Sequence, residues 1–366
     1  MRLLLTLLAF LPASCAVDSQ EDASADAEIT TYHGTSDASG AVFITEDSFV
    51  VADDENNTLK IYRTDNPGQP LFSYDMSSFL AVAPDHPEAD IEAAARVGDR
   101  IYWITSHGRN KNGKLRPNRY RFFATTLTRT SKTAAIAPAG RPCLDLLRQM
   151  LRTPWAGTLG LDDATGLDEP WLKKKDREKL APKRQGLNIE ALAATPDGKT
   201  LYIGFRNPRP FGPVAKRRHA LVVGLTNAPA VVEKGVPAAF GEPILWDLAG
   251  LGLRSMEYSP RHSAFFFIAG PHDQAAAFAL YRWSGNREDP PQLLRKIVAA
   301  NFTPEALMPM RNSDKLLILS DDGTLPVRIS HPSECLPGEL IDSRTCLNKH
   351  LIDPKKKTFR AMYIQP

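Results

Sequence analysis

Apolar and polar positions recur along this chain as a repeated unit. In its clearest copy, Asn188-Ile189-Glu190-Ala191 opens an apolar stretch that leads through the turn Pro196-Asp197-Gly198 into a second apolar strand at 200–205. A close variant runs from Asp90-Ile91-Glu92-Ala93 through Gly98-Asp99 into 100–105. The unit returns as Arg254-Ser255-Met256-Glu257 ahead of 265–268, and as Thr303-Pro304-Glu305-Ala306 ahead of 316–319. A fainter copy at 36–40 precedes the apolar run 49–52. Short apolar strands broken by Gly, Pro and Asp turns are the pattern of antiparallel hairpins.

The spacing of the units limits the architecture. Glu190, Glu257 and Glu305 are 67 and 48 residues apart, and Glu92 precedes Glu190 by 98, about two periods of roughly 50. That period is the length of a four-stranded propeller blade, and the runs 120–124, 220–225 and 279–283 read as later strands of such blades. The expectation is an all-β fold, a β-propeller of five or six four-stranded blades with one helical and charged insertion. The uncertain blade lies between Thr130 and Gln185, where 144–151 reads as a short helix and 173–183 as a charged helix or loop. The strand 359–364 is placed to close the ring against the segment near Tyr32.

The N-terminus reads as a targeting segment. Arg2 precedes an apolar run at 3–11 that is too short to span a bilayer, and small residues allow cleavage after Ala16. Residues 1–16 are therefore expected to be a signal peptide, 17–28 a disordered lead-in, and 29–366 one propeller domain. The protein should be exported, periplasmic or extracellular. Lipid anchoring through Cys15 is disfavoured by Pro12, which stands where a lipobox carries leucine. No other run could cross a membrane, and a monomer is expected. Cys335 and Cys346 could staple the C-terminal loop in an oxidising compartment, which leaves Cys143 as a buried free thiol.

In a blade the start of the first strand and the end of the second lie at one end of the propeller. First-strand starts supply Asp37, Asp90, Glu92, Asn188, Glu190, Glu257 and Glu305, and second-strand ends supply Asp53-Asp54, His107, Arg206, His272 and Asp321. Carboxylates crowded around one axis call for a cation or for arginine partners. Candidate metal ligands are Asp37, Asp54, Glu92, Glu190, Glu257, Glu305 and Asp321, and calcium fits an all-oxygen set best. The other reading of the same residues is structural pairing with arginines such as Arg206 or Arg254. Zinc is disfavoured because His107 and His272 stand apart and no H-x-x-x-H or C-x-x-C spacing occurs.

The loop 107–121 is densely basic, which suits an anionic group as well as a solvated surface. A net charge of +3 and the lack of aromatics among the basic runs argue against a nucleic-acid partner. No G-x-S-x-G elbow, Walker loop or G-x-G-x-x-G follows a strand.

Through Ala89-Asp90-Ile91-Glu92-Ala93, residues 103–109, Gly186-Leu187-Asn188-Ile189-Glu190 and residues 301–306, the chain resembles a bacterial family of exported propellers classed as domain of unknown function 3616, from about Tyr32 to the C-terminus. More distantly the N-I-E-A unit looks like exported phytase-like propellers, in which channel-mouth carboxylates hold calcium and basic side chains hold phosphate. The resemblance implies a calcium-dependent phosphoester hydrolase acting on a small anionic or phosphorylated substrate. His107 and Glu190 are its catalytic candidates, and Arg109, Lys111, Asn188, Arg206 and His272 its ligand-binding ones. The alternatives are a non-catalytic ligand- or protein-binding propeller of the cell envelope, and a calcium-dependent lactonase or esterase.

Overall fold

A computed structural model of the chain describes residues 29–129, 134–169, 171–212, 217–273, 275, 277–298 and 300–366. The expected signal peptide at 1–16 and lead-in at 17–28 lie outside the described residues. Strand β1 (Ile29–His33) is followed by four consecutive blades. The first is β2 (Ala38–Phe43), β3 (Ser48–Asp53), β4 (Thr58–Arg63) and β5 (Phe72–Asp75), and the second is β6 (Ile91–Val97), β7 (Arg100–Thr105), β8 (Phe122–Arg129) and β9 (Ala134–Cys143). The third is β10 (Asn188–Ala194), β11 (Leu201–Asn207), β12 (Ala220–Leu225) and β13 (Ile244–Trp246), and the fourth is β14 (Gly252–Ser259), β15 (Ala264–Gly270), β16 (Phe278–Trp283) and β17 (Gln292–Ile297). The fifth blade opens with β18 (Pro304–Pro309) and β19 (Leu316–Ser320). A small sheet of β20 (Pro326–Arg328), β21 (Leu340–Asp342) and β22 (Thr345–Leu347) then intervenes before β23 (Thr358–Ile364) returns to the fifth blade.

Among the described residues there are thus five four-stranded antiparallel sheets, each running outward from its first strand. The inner strands touch in sequence, β2 on β6, β6 on β10, β10 on β14, β14 on β18 and β18 back on β2, so the ring is closed. The count is five rather than six. The ambiguous region between blades two and three supplies the outer strand β9 and three short helices, Leu146–Leu151, Leu161–Thr165 and Lys174–Lys179, in place of a further sheet. Ring closure pairs β23 with β1, setting Tyr32 opposite Phe359 with the two rings stacked at 5.0 Å. The last blade therefore joins both ends of the described chain, and closure buries the blade faces that an open ring would leave uncovered, while each blade keeps a short outer edge.

One hydrophobic cluster fills each junction between neighbouring blades. Trp103 packs with Val50 and Ile91 between blades one and two, and Phe122 and Val223 belong to the cluster between blades two and three. Phe267 and Trp246 fill the next junction, Phe266 and Met362 the one after, and Tyr32 and Leu317 the closing one. Second strands are covered on both faces, which is why β15 is buried at every position and reads as an unbroken apolar run. Burying side chains of this size contributes about 1.5–3 kcal/mol each. The small sheet is stapled by the disulfide Cys335–Cys346, while Cys143 is a buried free cysteine. Among the described residues no helix is long and apolar enough to cross a membrane.

Candidate functional site

Each inner strand carries an irregularity near its start. The register slips around Glu92 in β6, Glu190 in β10, Arg254 in β14, Glu305 in β18 and the pair Ser39-Gly40 in β2. A bulge inserts one extra residue, bends the strand and re-aims its side chain. Glu92, Glu190, Arg254 and Glu305 accordingly all line one cavity of about 1220 Å³ at the channel mouth. The repeat therefore places a charged group at the same point of four successive blades, and in the fourth blade that group is an arginine.

This ring has two unlike halves. Around blades three to five the carboxylates are neutralised by arginine. Arg206 Nη1 lies 2.7 Å from Glu190 Oε1, Arg254 Nη1 lies 3.0 Å from Glu190 Oε2, and Arg254 Nη2 contacts Glu305 Oε1. Asn188 Nδ2 donates to Glu190 Oε1 at 2.5 Å, and Arg206 spends its other donors on the carbonyls of Pro271 and Asp273. Burial, and next the nearby Arg206, pull the Arg254 guanidinium down to about 10.

Around blades five, one and two the carboxylates mostly face one another. Oxygens of Asp37, Asp53 and Asp54 lie within 4.8 Å of one another, as do oxygens of Asp54, Asp90 and Glu92. Burial, followed by repulsion from Asp321 and Asp53, holds the Asp37 carboxyl well above the usual carboxylate range. Asp54 is raised in the same way by burial and then by Asp37, Asp321 and Glu92, and Glu92 by burial and then by Asp90 and Glu190. Some of these groups have cationic neighbours: Lys60 Nζ is 3.6 Å from Asp53, and Arg119 Nη1 is 2.9 Å from Asp90. Asp54 Oδ1 is enclosed without a hydrogen bond. An isolated antiparallel β-bridge joins Asp37 and Asp321, and Gly323, two positions on, lets the chain pass close to the Asp37 carboxylate: a Cβ there would lie 1.7 Å from Asp37 Oδ1. These acidic clusters could hold a metal ion, and their donors are all carboxylate oxygens.

The expected site residues fall into three groups. Asp54, Glu92, Lys111, Asn188, Glu190, Arg206, Glu305 and Asp321 line the cavity, and Asp37 sits behind Asp54. Glu257 does not join them. It lies three positions beyond Arg254, toward the far end of β14, where its charged neighbours are Arg311 and Arg96, and burial pushes its carboxyl up to about 8. The repeat was aligned there on the acidic residue, while the bulge falls on Arg254.

His107 and Arg109 also depart from expectation. His107 is 1% exposed, with Nδ1 2.8 Å from the carbonyl of Thr105, two positions before it, and its ring edge-on to Tyr120. Burial pulls it down to about 4, so it is a neutral interior group absent from the cavity wall and supplies no proton there. Arg109 is buried too, its guanidinium donating to the carbonyls of Thr165, Gly166 and Gly113. Such a residue fastens loops together. His272 is half-buried beside the cavity but not among its lining residues.

Several lining residues carried no motif in the sequence. In the sequence Arg254 reads only as a possible ion-pair partner, and Lys183 and Lys349 arrive from the two insertions. The basic ends of those insertions were the only signal available. Among the described residues one serine, histidine and carboxylate come together: Ser259 Oγ is 2.9 Å from His262 Nδ1, and His262 Nε2 is 3.8 Å from Asp314 Oδ1. Ser259 is fully buried and outside the cavity, so it offers no nucleophile there.

No family model matches the chain, and no curated protein matches its sequence. Solved structures similar to it include glutaminyl cyclase of Myxococcus xanthus, at 9% identity and a TM-score of 0.40 over 80% of this chain and 88% of that one. Another is the PQQ-bound aldose sugar dehydrogenase of Streptomyces coelicolor, at 10% identity and 0.40 over 92% and 99%. A third is the β-propeller domain of Cps50 from Myceliophteria thermophila, at 9% identity and 0.36 over 92% and 98%.

Proposed function

We propose that the protein is an exported, calcium-dependent hydrolase of phosphoesters that works at the acidic half of the channel mouth. The observation that carries this reading is the division of the ring. Arginines neutralise Glu190 and Glu305, whereas Asp54, with its Oδ1 enclosed and unbonded, is shared by two carboxylate clusters, one with Asp37 and Asp53 and one with Asp90 and Glu92. A buried group of hard oxygen donors without enough counter-charge suits a cation of flexible coordination. Asp37, Asp54, Glu92 and the adjacent Asp321 are the residues that would hold it. When bound there, calcium supplies Lewis-acid polarisation of a phosphoryl oxygen and a more acidic bound water.

The chain's own residues do the rest. The Glu190–Arg206–Arg254–Glu305 network gives the mouth a rigid, charge-balanced wall, and a cavity of about 1220 Å³ admits a small ester. Cationic side chains on its rim favour an anionic substrate. The resemblance of the N-I-E-A units to phytase-like propellers supports the same class.

The test is calcium binding to the chelated mature protein by calorimetry, followed by a screen of phosphomonoesters and lactones with and without the metal. Calcium binding with metal-dependent phosphomonoester turnover is expected. Lactone turnover alone would move the enzyme to the esterase class. Binding without turnover would leave a calcium-stabilised recognition module, and no binding would return the carboxylates to architecture.

A further inference from the structure

We infer that Lys349 is a tethered counter-ion of the acidic half of the mouth: its ammonium balances those carboxylates in the unloaded protein, and a divalent cation displaces it where a monovalent one does not. The counter-ion role stands on the placement of Lys349 alone. The exchange deepens the proposed function and rests on it for the identity of the cation.

Backbone contacts fix where the ammonium can reach. Lys349 follows β22, its amide donates to the Gly323 carbonyl at 3.0 Å, and its own carbonyl accepts from Lys357 Nζ at 2.7 Å. The preceding Asn348 is buried and donates to the carbonyls of Asp322 and Thr358 at 3.1 and 2.6 Å. Gly323 is the residue that passes against the Asp37 carboxylate, so the backbone of Lys349 is bonded directly to the strand segment beside Asp37 and Asp321. From there Lys349 Nζ reaches Glu55 Oε1 at 2.5 Å, next in sequence to Asp54, and both side chains line the cavity.

The charges around that ammonium are those of the acidic half. Burial alone would loosen its hold on its proton, but Glu55, and after it Asp37 and Asp54, more than reverse the effect. Burial raises Asp321, and the Gly323 amide, Arg254 and Lys349 oppose that rise. Asp37, Asp54 and Asp321, three of the carboxylates assigned to the cation, therefore all interact with Lys349. Other cations of the mouth are committed elsewhere, Arg119 to Asp90 and Glu88, Arg206 and Arg254 to Glu190. The direct partner of Lys349, Glu55, is an exposed side chain outside both carboxylate clusters. Among the described residues Glu55 accepts the one hydrogen bond that this ammonium makes, out of three it can donate.

Such a group sets which ions can enter. A monovalent ion would replace one unit of charge by another, against an ammonium tethered at high effective concentration. A divalent ion brings twice the charge and wins the exchange, and the enclosed, unbonded Asp54 Oδ1 is an oxygen ready to accept it. The flexible four-carbon stem lets the ammonium withdraw while the backbone of Lys349 stays bonded.

The experiment compares wild type with Lys349→Met, which keeps the apolar stem, and places each also in a Glu55→Gln background. Melting midpoints of the full mature chain are taken in chelator at low and high sodium chloride, and calcium is then titrated into the same four proteins by calorimetry. In chelator at low salt Lys349→Met should lower the midpoint by a few degrees in both backgrounds, and added salt should restore it by screening the bare carboxylates. Calcium should bind Lys349→Met about tenfold or more tightly than wild type, and sodium should compete with it in the variant alone. No loss in chelator, or a loss that vanishes in the Glu55→Gln background, would reduce Lys349 to a partner of Glu55 and overturn the inference whatever calcium does. Calcium bound equally by wild type and Lys349→Met would overturn the exchange and leave the metal reading standing. A loss that persists in Glu55→Gln, in proteins that take no calcium, would uphold the counter-ion and sink the metal reading.

Discussion

Arg254 Nη1 lies 3.0 Å from Glu190 Oε2 while its Nη2 contacts Glu305 Oε1, so one arginine neutralises the mouth-facing glutamates of both neighbouring blades. Both Arg254 and Glu190 are almost fully buried. Removing one partner of such a network strands the others, which typically costs about 3–5 kcal/mol. Arg254→Met should therefore lower the free energy of unfolding by that order in urea titrations. Adding Glu190→Gln and Glu305→Gln to it should recover a large part of the loss. A loss under about 1 kcal/mol for Arg254→Met would mean that the ion pairs carry little net stability.

Asp54 stands in the opposite situation, with carboxylates for neighbours and an enclosed oxygen that accepts no hydrogen bond. Asp54→Asn keeps the shape and removes one negative charge. In chelator the variant should be as stable as wild type or more so, by about 1–2 kcal/mol, because the other carboxylates then repel less. Calcium, which should raise the wild-type melting temperature by mass action, should raise that of the variant far less. Paired melts with and without calcium measure both effects. Equal calcium shifts in the two proteins would remove Asp54 from the site.

These contrasts explain what the sequence could and could not convey. The blades were legible because each is a hairpin series with apolar strands and turn residues, and closure was legible because 359–364 is the one terminal strand free to meet Tyr32. The mouth glutamates were legible as the glutamate that recurs near the start of each repeat. In blade four that rule failed: Arg254 occupies the bulge and Glu257 merely lies nearby in sequence, and bulge position depends on strand register. In a string of polar residues His107 reads as a catalytic group and Arg109 as a ligand-binding one, yet both are buried. Arg109 is tied to the insertion through the Thr165 carbonyl, and no local pattern in 144–187 encodes that path. The division of the ring was hidden for a related reason, since it depends on which arginine reaches which glutamate across blades.

Glu257 makes a pH prediction with a definite sign. Burial pushes its carboxyl up to about 8, with Arg311 and Arg96 opposing that rise, so the fold favours its protonated form. The stability this contributes is full below the ordinary carboxylate range and is lost as pH rises toward 8. Glu257→Gln mimics the protonated group and does not titrate. Between pH 6 and pH 9 the wild type should lose stability relative to the variant by about 2–3 kcal/mol. Raised carboxyls elsewhere, such as Asp37 and Asp54, are common to both proteins and cancel in the difference. Urea midpoints at the two pH values suffice, and a constant difference would show that Glu257 titrates as an exposed carboxylate.

The disulfide Cys335–Cys346 closes a short loop in the small sheet that delivers Lys349 and His350 to the cavity. Its own core is minor, chiefly Ile329, Leu351 and the two half-cystines, and separate from the clusters between blades. A bridge over a loop of this size contributes about 2–3 kcal/mol in the chain-entropy view. Replacing both cysteines by serine should therefore loosen this sheet before it weakens the propeller. Amide exchange should quicken in β20 and β22 while β15 stays protected. Asn348 works against that separation, because its buried side chain donates to the carbonyls of Asp322 and Thr358 and ties the sheet to the closing blade. A fall of several degrees in the global melting midpoint would mean that this tie makes the sheet part of the propeller's cooperative unit. The cavity rim at Lys349 would then be as rigid as the blades themselves.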